Sequence, residues 1–87
     1  IKSDRSLAAP DLQLHFVAAT TALSKFGYHL KCCLLTPSSK GEVTLATSNP
    51  MDRPRIDPHY LEHESDLEAL VSGFMKMRDI LSQKAFN

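Results

Sequence analysis

The sequence predicts an α+β fold: an antiparallel sheet of at least three strands, incomplete, with a C-terminal helix packed on one face. Three observations lead there. Apolar and polar residues alternate through "DLQLHFV" (11–17), "YHLKCCLLTP" (28–37) and "EVTLAT" (42–47), and period-two alternation marks a strand with one covered face. From Leu67 to Leu81 apolar residues instead recur every three or four positions, the rhythm of an amphipathic helix. The second and third alternating runs are joined by a short link containing Ser and Gly, which is a hairpin signal.

Residues 1–10 are polar and end in Pro10, which suits a connecting arm entering the fold. The first strand sets Leu12, Leu14 and Phe16 on one face, and Gln13, His15 and Val17 on the other. Residues 18–27 lose the alternation and end at Gly27, so a loop with room for a helical turn is expected. The second strand sets Tyr28, Leu30, Cys32 and Leu34 against His29, Lys31, Cys33 and Leu35. "SSKG" reads as a tight turn in which Gly41 is free to take positive φ. It leads back into a third strand, with Val43, Leu45 and Thr47 opposite Thr44 and Ala46.

Beyond Asn49-Pro50 pairing cannot be continuous, because proline supplies no N–H to a ladder. "RPRIDPHYL" is extended, since a residue preceding proline is pushed toward β or polyproline geometry, and Ile56 and Tyr60 are its expected anchors to the core. A helix then runs from about Ser65 to Lys84, opened by an S-x-x-E capping box of Ser65 and Glu68. Its stripe is Leu67, Leu70, Val71, Phe74, Met77 and Leu81; Glu68, Ser72, Lys76, Asp79 and Gln83 fall mostly on the wet side. Gly73 costs up to about 1 kcal/mol inside a helix relative to alanine, so close packing is expected there. One helix covers one face of such a sheet. The other face is solvated or is covered by another part of a larger protein.

Eighty-seven residues make one domain at most. Ten basic residues balance ten acidic ones and no basic stripe occurs, which excludes nucleic acid as the main partner. No apolar run approaches the roughly 20 residues of a membrane span, and "IKSDRSLAAP" lacks the apolar stretch of a secretion signal. The chain begins at Ile1 rather than methionine, which processing or a cloning choice would each produce and which hints at a truncated chain. Cys32 and Cys33 are adjacent, so a strand turns them to opposite faces; both are read as reduced, with one buried.

Chemistry-bearing motifs are few. Neither a G-x-G-x-x-G nor a P-loop occurs, and Gly27, Gly41 and Gly73 stand far apart. His59 and His63 have the i, i+4 spacing of helical metal ligands, but they precede the helix and read as solvated loop histidines. His29 and Cys33 share a face without the further ligands that zinc requires. No metal site is therefore assigned, and neither thiol is marked as activated. His15 sits mid-strand beside Gln13. It is either a polar side chain on an exposed face or a histidine lining a cavity roofed by the sheet.

"PDLQLHFV", "YHLKCCLLTPSSKGEVTLATSNPMDRPRIDPHYL" and "ESDLEALVSGFMKMRDIL", in this order and spacing over residues 9–83, resemble the glucose–methanol–choline oxidoreductases. The likeness is to their choline dehydrogenase and alcohol dehydrogenase branch. It implies a parent enzyme that binds FAD on a Rossmann-like domain and passes hydride from an alcohol to the flavin. Residues 1–87 would then be part of the second, substrate-binding domain of C-terminal type, whose sheet roofs the substrate space. The glycine fingerprint of the flavin domain and the segment carrying the catalytic histidine are both absent here. The resemblance thus implies no catalytic residue and no FAD contact in this stretch, and no activity alone. It implies one substrate-side residue, His15, on the strand from which some family members present a histidine toward the substrate.

The implied partners are a small alcohol and the remainder of the parent chain, and a layer cut from its setting would self-associate through exposed apolar surface. The implied setting of the parent is the cytoplasm or the periphery of the inner membrane. The competing reading is a free-standing small binding or interaction module without catalysis.

Overall fold

The computed structural model describes residues 1–18 and 27–86, so the loop expected over 18–27 lies, apart from its ends, outside the described residues. Strands β1 (Leu12–Ala18), β2 (Tyr28–Leu34), β3 (Glu42–Thr44) and β4 (Arg55–Asp57) precede helix α1 (Glu64–Leu81) and a 3₁₀ turn at Lys84–Phe86. The α+β class, the antiparallel pairing and the C-terminal helix on one sheet face are all as the sequence predicts. The strand arrangement differs. β1 pairs with β2 and β3 with β4, giving two two-stranded sheets instead of one sheet of three or more.

The expected hairpin between the second and third alternating runs does not form, and the link itself explains why. Pro37 cannot donate to a ladder. Beyond it the Ser38 and Ser39 N–H groups donate to the two carboxylate oxygens of Asp66, at 2.8 Å each. The chain is thereby drawn off the sheet toward the start of α1. Gly41 does not take positive φ. It permits close backbone approach instead: a Cβ there would lie 2.3 Å from the Asp57 carbonyl oxygen and 2.5 Å from Pro58 Cα.

β3 stops at Thr44, and a polar turn follows in which the Thr47 hydroxyl donates to Asp52 at 2.6 Å and the Asp52 N–H to the Asn49 carbonyl at 3.1 Å. Pro54 and Pro58 bracket β4 and hold it to three residues. Val43 pairs with Ile56 across this small sheet. Ile56 and Tyr60 are not core anchors: they are 71% and 85% exposed, because the crossing runs out from the first sheet with nothing among the described residues laid over it.

α1 begins one residue earlier than expected, with His63 as N-cap and no side-chain cap bond. Ser65 already lies inside the first turn, so the capping box is not made. The His63 N–H donates to the Ser39 hydroxyl at 3.0 Å, a contact supplied from outside the helix. Glu64 and Asp66 place negative charge in the first turn, where the helix dipole favours it.

The close packing expected at Gly73 is present. A Cβ there would stand 2.6 Å from Cys32 Sγ and 3.1 Å from Leu12 Cδ1. Leu12, at 1% exposure, is the one fully buried apolar side chain among the described residues. The line of α1 facing the sheet is therefore Asp66, Gly73 and Met77, and the apolar stripe is centred roughly a quarter turn away from it. Leu70, Met77 and Leu81 are half-buried, whereas Leu67, Val71 and Phe74 stay exposed.

Ser72 and Lys76, expected on the wet side, are half-buried and hold the N-terminal arm. The Ser72 hydroxyl donates to the Ser3 carbonyl at 2.7 Å, and Lys76 Nζ donates to the carbonyls of Lys2 and Ser3 at 2.7 and 2.6 Å. The arm also exchanges two backbone bonds between Ile1 and Leu12.

The molecule is a thin layer of 58 × 40 × 17 Å. Its radius of gyration is 18.0 Å, against about 12 Å for a compact domain of this length. It exposes 7319 Å², where a compact chain of its mass would expose about 5,100 Å². Among the described residues no helix is long and apolar enough to cross a membrane.

Candidate functional site on the uncovered sheet face

The β1–β2 register sorts the side chains of the first sheet. Leu12, Leu14 and Phe16 share a face with Leu34, Cys32 and Leu30, and α1 lies on that side through Gly73. Gln13, His15 and Val17 share the opposite face with Cys33, Lys31 and His29. That second face is polar. Gln13, His15, Lys31 and Cys33 are exposed, while Val17 and His29 are half-buried.

His15 stands mid-strand, directly across from Lys31, and opposed Cβ atoms on such a pair lie about 4.5–5.5 Å apart. His29 Nε2 is shielded from solvent and has no hydrogen-bond partner among the described residues. The side chains that can address a ligand here are an imidazole, an ammonium, an amide and a thiol. The alternation of β1 and β2 foreshadowed the members of this face, but the Lys31–His15 opposition depends on a register that residue pattern alone did not fix.

The two thiols are free and lie on opposite faces, as strand geometry requires. Burial first, and Cys33 second, push the Cys32 thiol above its usual range, so it stays protonated against the helix as a packing group.

At the far end of the helix-covered face, Phe16, Tyr28 and Phe86 form an aromatic cluster with centroid distances of 5.5–6.0 Å. The Tyr28 hydroxyl donates to the Phe86 carbonyl at 2.9 Å. Phe86 gave no sequence signal, since it falls beyond the apolar rhythm of α1.

His59 is not a freely solvated loop histidine. Its Nε2 is 3.1 Å from Asp57 and its Nδ1 3.5 Å from Glu62, and Asp57 chiefly raises its basicity. Among the described residues no group of three His, Cys, Asp or Glu side chains converges to hold a metal ion.

A phosphate cradle needs glycine backbone open to the ligand, and neither Gly41 nor Gly73 supplies one, since both are closed by the chain's own atoms.

The family model described as GMC oxidoreductase, in its C-terminal form, matches residues 37–87. The chain is 35% identical over 79 residues to an alcohol dehydrogenase [acceptor] of Pseudomonas putida, which covers 84% of this chain and 14% of that protein. It is 37% identical over 84 residues to dehydrogenase str4 of Strobilurus tenacellus, covering 90% and 14%. An oxygen-dependent choline dehydrogenase of Vibrio vulnificus is 30% identical over 93 aligned positions, covering 100% and 17%. The chain thus spans about one sixth or less of the length of these relatives. With more than half of its residues inside the family model, and relatives of this likeness running along nearly all of it, the chain belongs to the GMC oxidoreductase family.

Proposed function

We propose that residues 1–87 form part of the substrate-binding domain of an FAD-dependent alcohol or choline dehydrogenase. FAD, held by residues outside this stretch, would accept hydride from the alcohol carbon. One observation carries the reading: among the described residues α1 backs one face of the first sheet, and the other face presents His15 at mid-strand among polar neighbours. In the parent that face lines the substrate space. His15 donates a hydrogen bond to the alcohol oxygen, and the bond strengthens as alkoxide character develops in a water-poor site. The proton acceptor lies elsewhere in the parent, and these 87 residues alone are inactive. Their other partner is the remainder of the chain.

The test is to express the complete reading frame and record its absorbance with and without alcohols. A flavin spectrum bleached by an alcohol is expected for the parent, and a colourless product for residues 1–87 alone. His15→Ala should lower kcat/KM by about tenfold or more, as loss of an oxyanion donor does. An alcohol-inert, flavin-free parent would overturn the enzyme reading in favour of a small binding module. Unchanged kinetics in His15→Ala would remove His15 from the substrate wall.

A further inference from the structure

Resting on that reading of the sheet face, we infer that the parent selects alcohols lacking a cationic group, and that Lys31 is the residue that imposes this selection. All ten acidic residues lie outside positions 12–41, a stretch that holds Lys25, Lys31 and Lys40 together with His15 and His29. The first sheet is therefore a wall without carboxylates. On its face away from α1 Lys31 stands directly opposite His15, is exposed, and has no ion-pair partner among the described residues.

A quaternary ammonium group needs a carboxylate or the π-face of an aromatic ring. This face offers Gln13, His15, Val17, His29, Lys31 and Cys33, none of which is a carboxylate or one of the Trp, Tyr or Phe rings that hold such cations. The aromatic side chains of the same two strands, Phe16 and Tyr28, belong to the opposite face and are packed against Phe86. An ammonium bound near His15 would meet the Lys31 charge across a short gap, whereas an uncharged or anionic alcohol would not be repelled.

The experiment compares choline with its uncharged tert-butyl isostere in the full-length, flavin-loaded parent, for the native protein, Lys31→Gln, Lys31→Glu and His15→Ala. The native enzyme is expected to favour the isostere. Lys31→Gln should raise the choline-to-isostere ratio of kcat/KM by about tenfold, and Lys31→Glu should raise it further. The gain should shrink as salt is added. An unmoved ratio in both Lys31 variants, with His15→Ala impaired on both substrates, would overturn the charge selection while leaving the face as the substrate wall. Unmoved kinetics in all three variants would overturn the inference by showing that this face does not meet the substrate.

Discussion

Gly73 and Cys32 set how closely α1 approaches the first sheet. In an exposed helix Gly→Ala is worth about 1 kcal/mol of stabilisation, but here the added methyl would meet Cys32 Sγ at 2.6 Å and the fully buried Leu12 at 3.1 Å. Overpacking of that kind typically costs about 1–3 kcal/mol, so the clash outweighs the propensity gain. Gly73→Ala is expected to lower the thermal midpoint of the full-length protein, with a net loss of up to about 2 kcal/mol. Adding Cys32→Ala should return most of it, because the closer obstacle is then gone. A rise in midpoint for the single variant would mean that the helix stands further from the sheet than this packing requires.

At the scale of elements, Asp66 joins the link after β2 to the first turn of α1. It is 3% exposed. The Ser39 hydroxyl first, then the N–H groups of Ser38 and Ser39, hold its carboxyl below the ordinary value of 3.8. A carboxyl whose folded-state pKa is depressed contributes stability that is complete above its unfolded value and is lost as pH falls through the folded one. Thermal midpoints measured from neutral pH down to about pH 3 should therefore fall in the acid range. Asp66→Asn should start several degrees lower at neutral pH, because one oxygen acceptor is lost, and should show a shallower acid decline. Parallel profiles for the two proteins would mean that other carboxylates govern the acid transition.

For the whole molecule, the mismatch between surface and core dominates. Among the described residues one apolar side chain is fully buried, too thin a core to offset chain ordering, since the backbone alone costs about 1–2 kcal/mol per residue. The excess surface includes the flank of α1 formed by Leu67, Val71 and Phe74, with Phe74 59% exposed. It continues into an apolar hollow of about 230 Å³ beside Leu30, Met77 and Leu81. Residues 1–87 expressed alone are expected to self-associate or to unfold at low temperature, as sedimentation and thermal melts would report. Phe74→Gln combined with Val71→Gln should reduce the association. A monodisperse monomer with a high midpoint would contradict the picture of a layer that needs the rest of its chain.

By itself the sequence determined the local periods: two long strands with their faces sorted, an extended path between prolines, an amphipathic helix, and the order of segments that carries the family likeness. Those features rest on neighbour-to-neighbour sterics and on apolar spacing, and both are written in consecutive residues. Tertiary structure decided which strands pair, because an Asp66 carboxylate 27 and 28 residues away takes the N–H groups of Ser39 and Ser38 that a β2–β3 hairpin turn was expected to use. It also decided that Ser72 and Lys76, polar on any helical wheel, clasp the carbonyls of the N-terminal arm. Only the β1–β2 register could set Lys31 across from His15 on the face that α1 leaves open. Hydrogen bonds and cross-strand pairs between distant residues depend on where the chain has gone, and no local pattern encodes that.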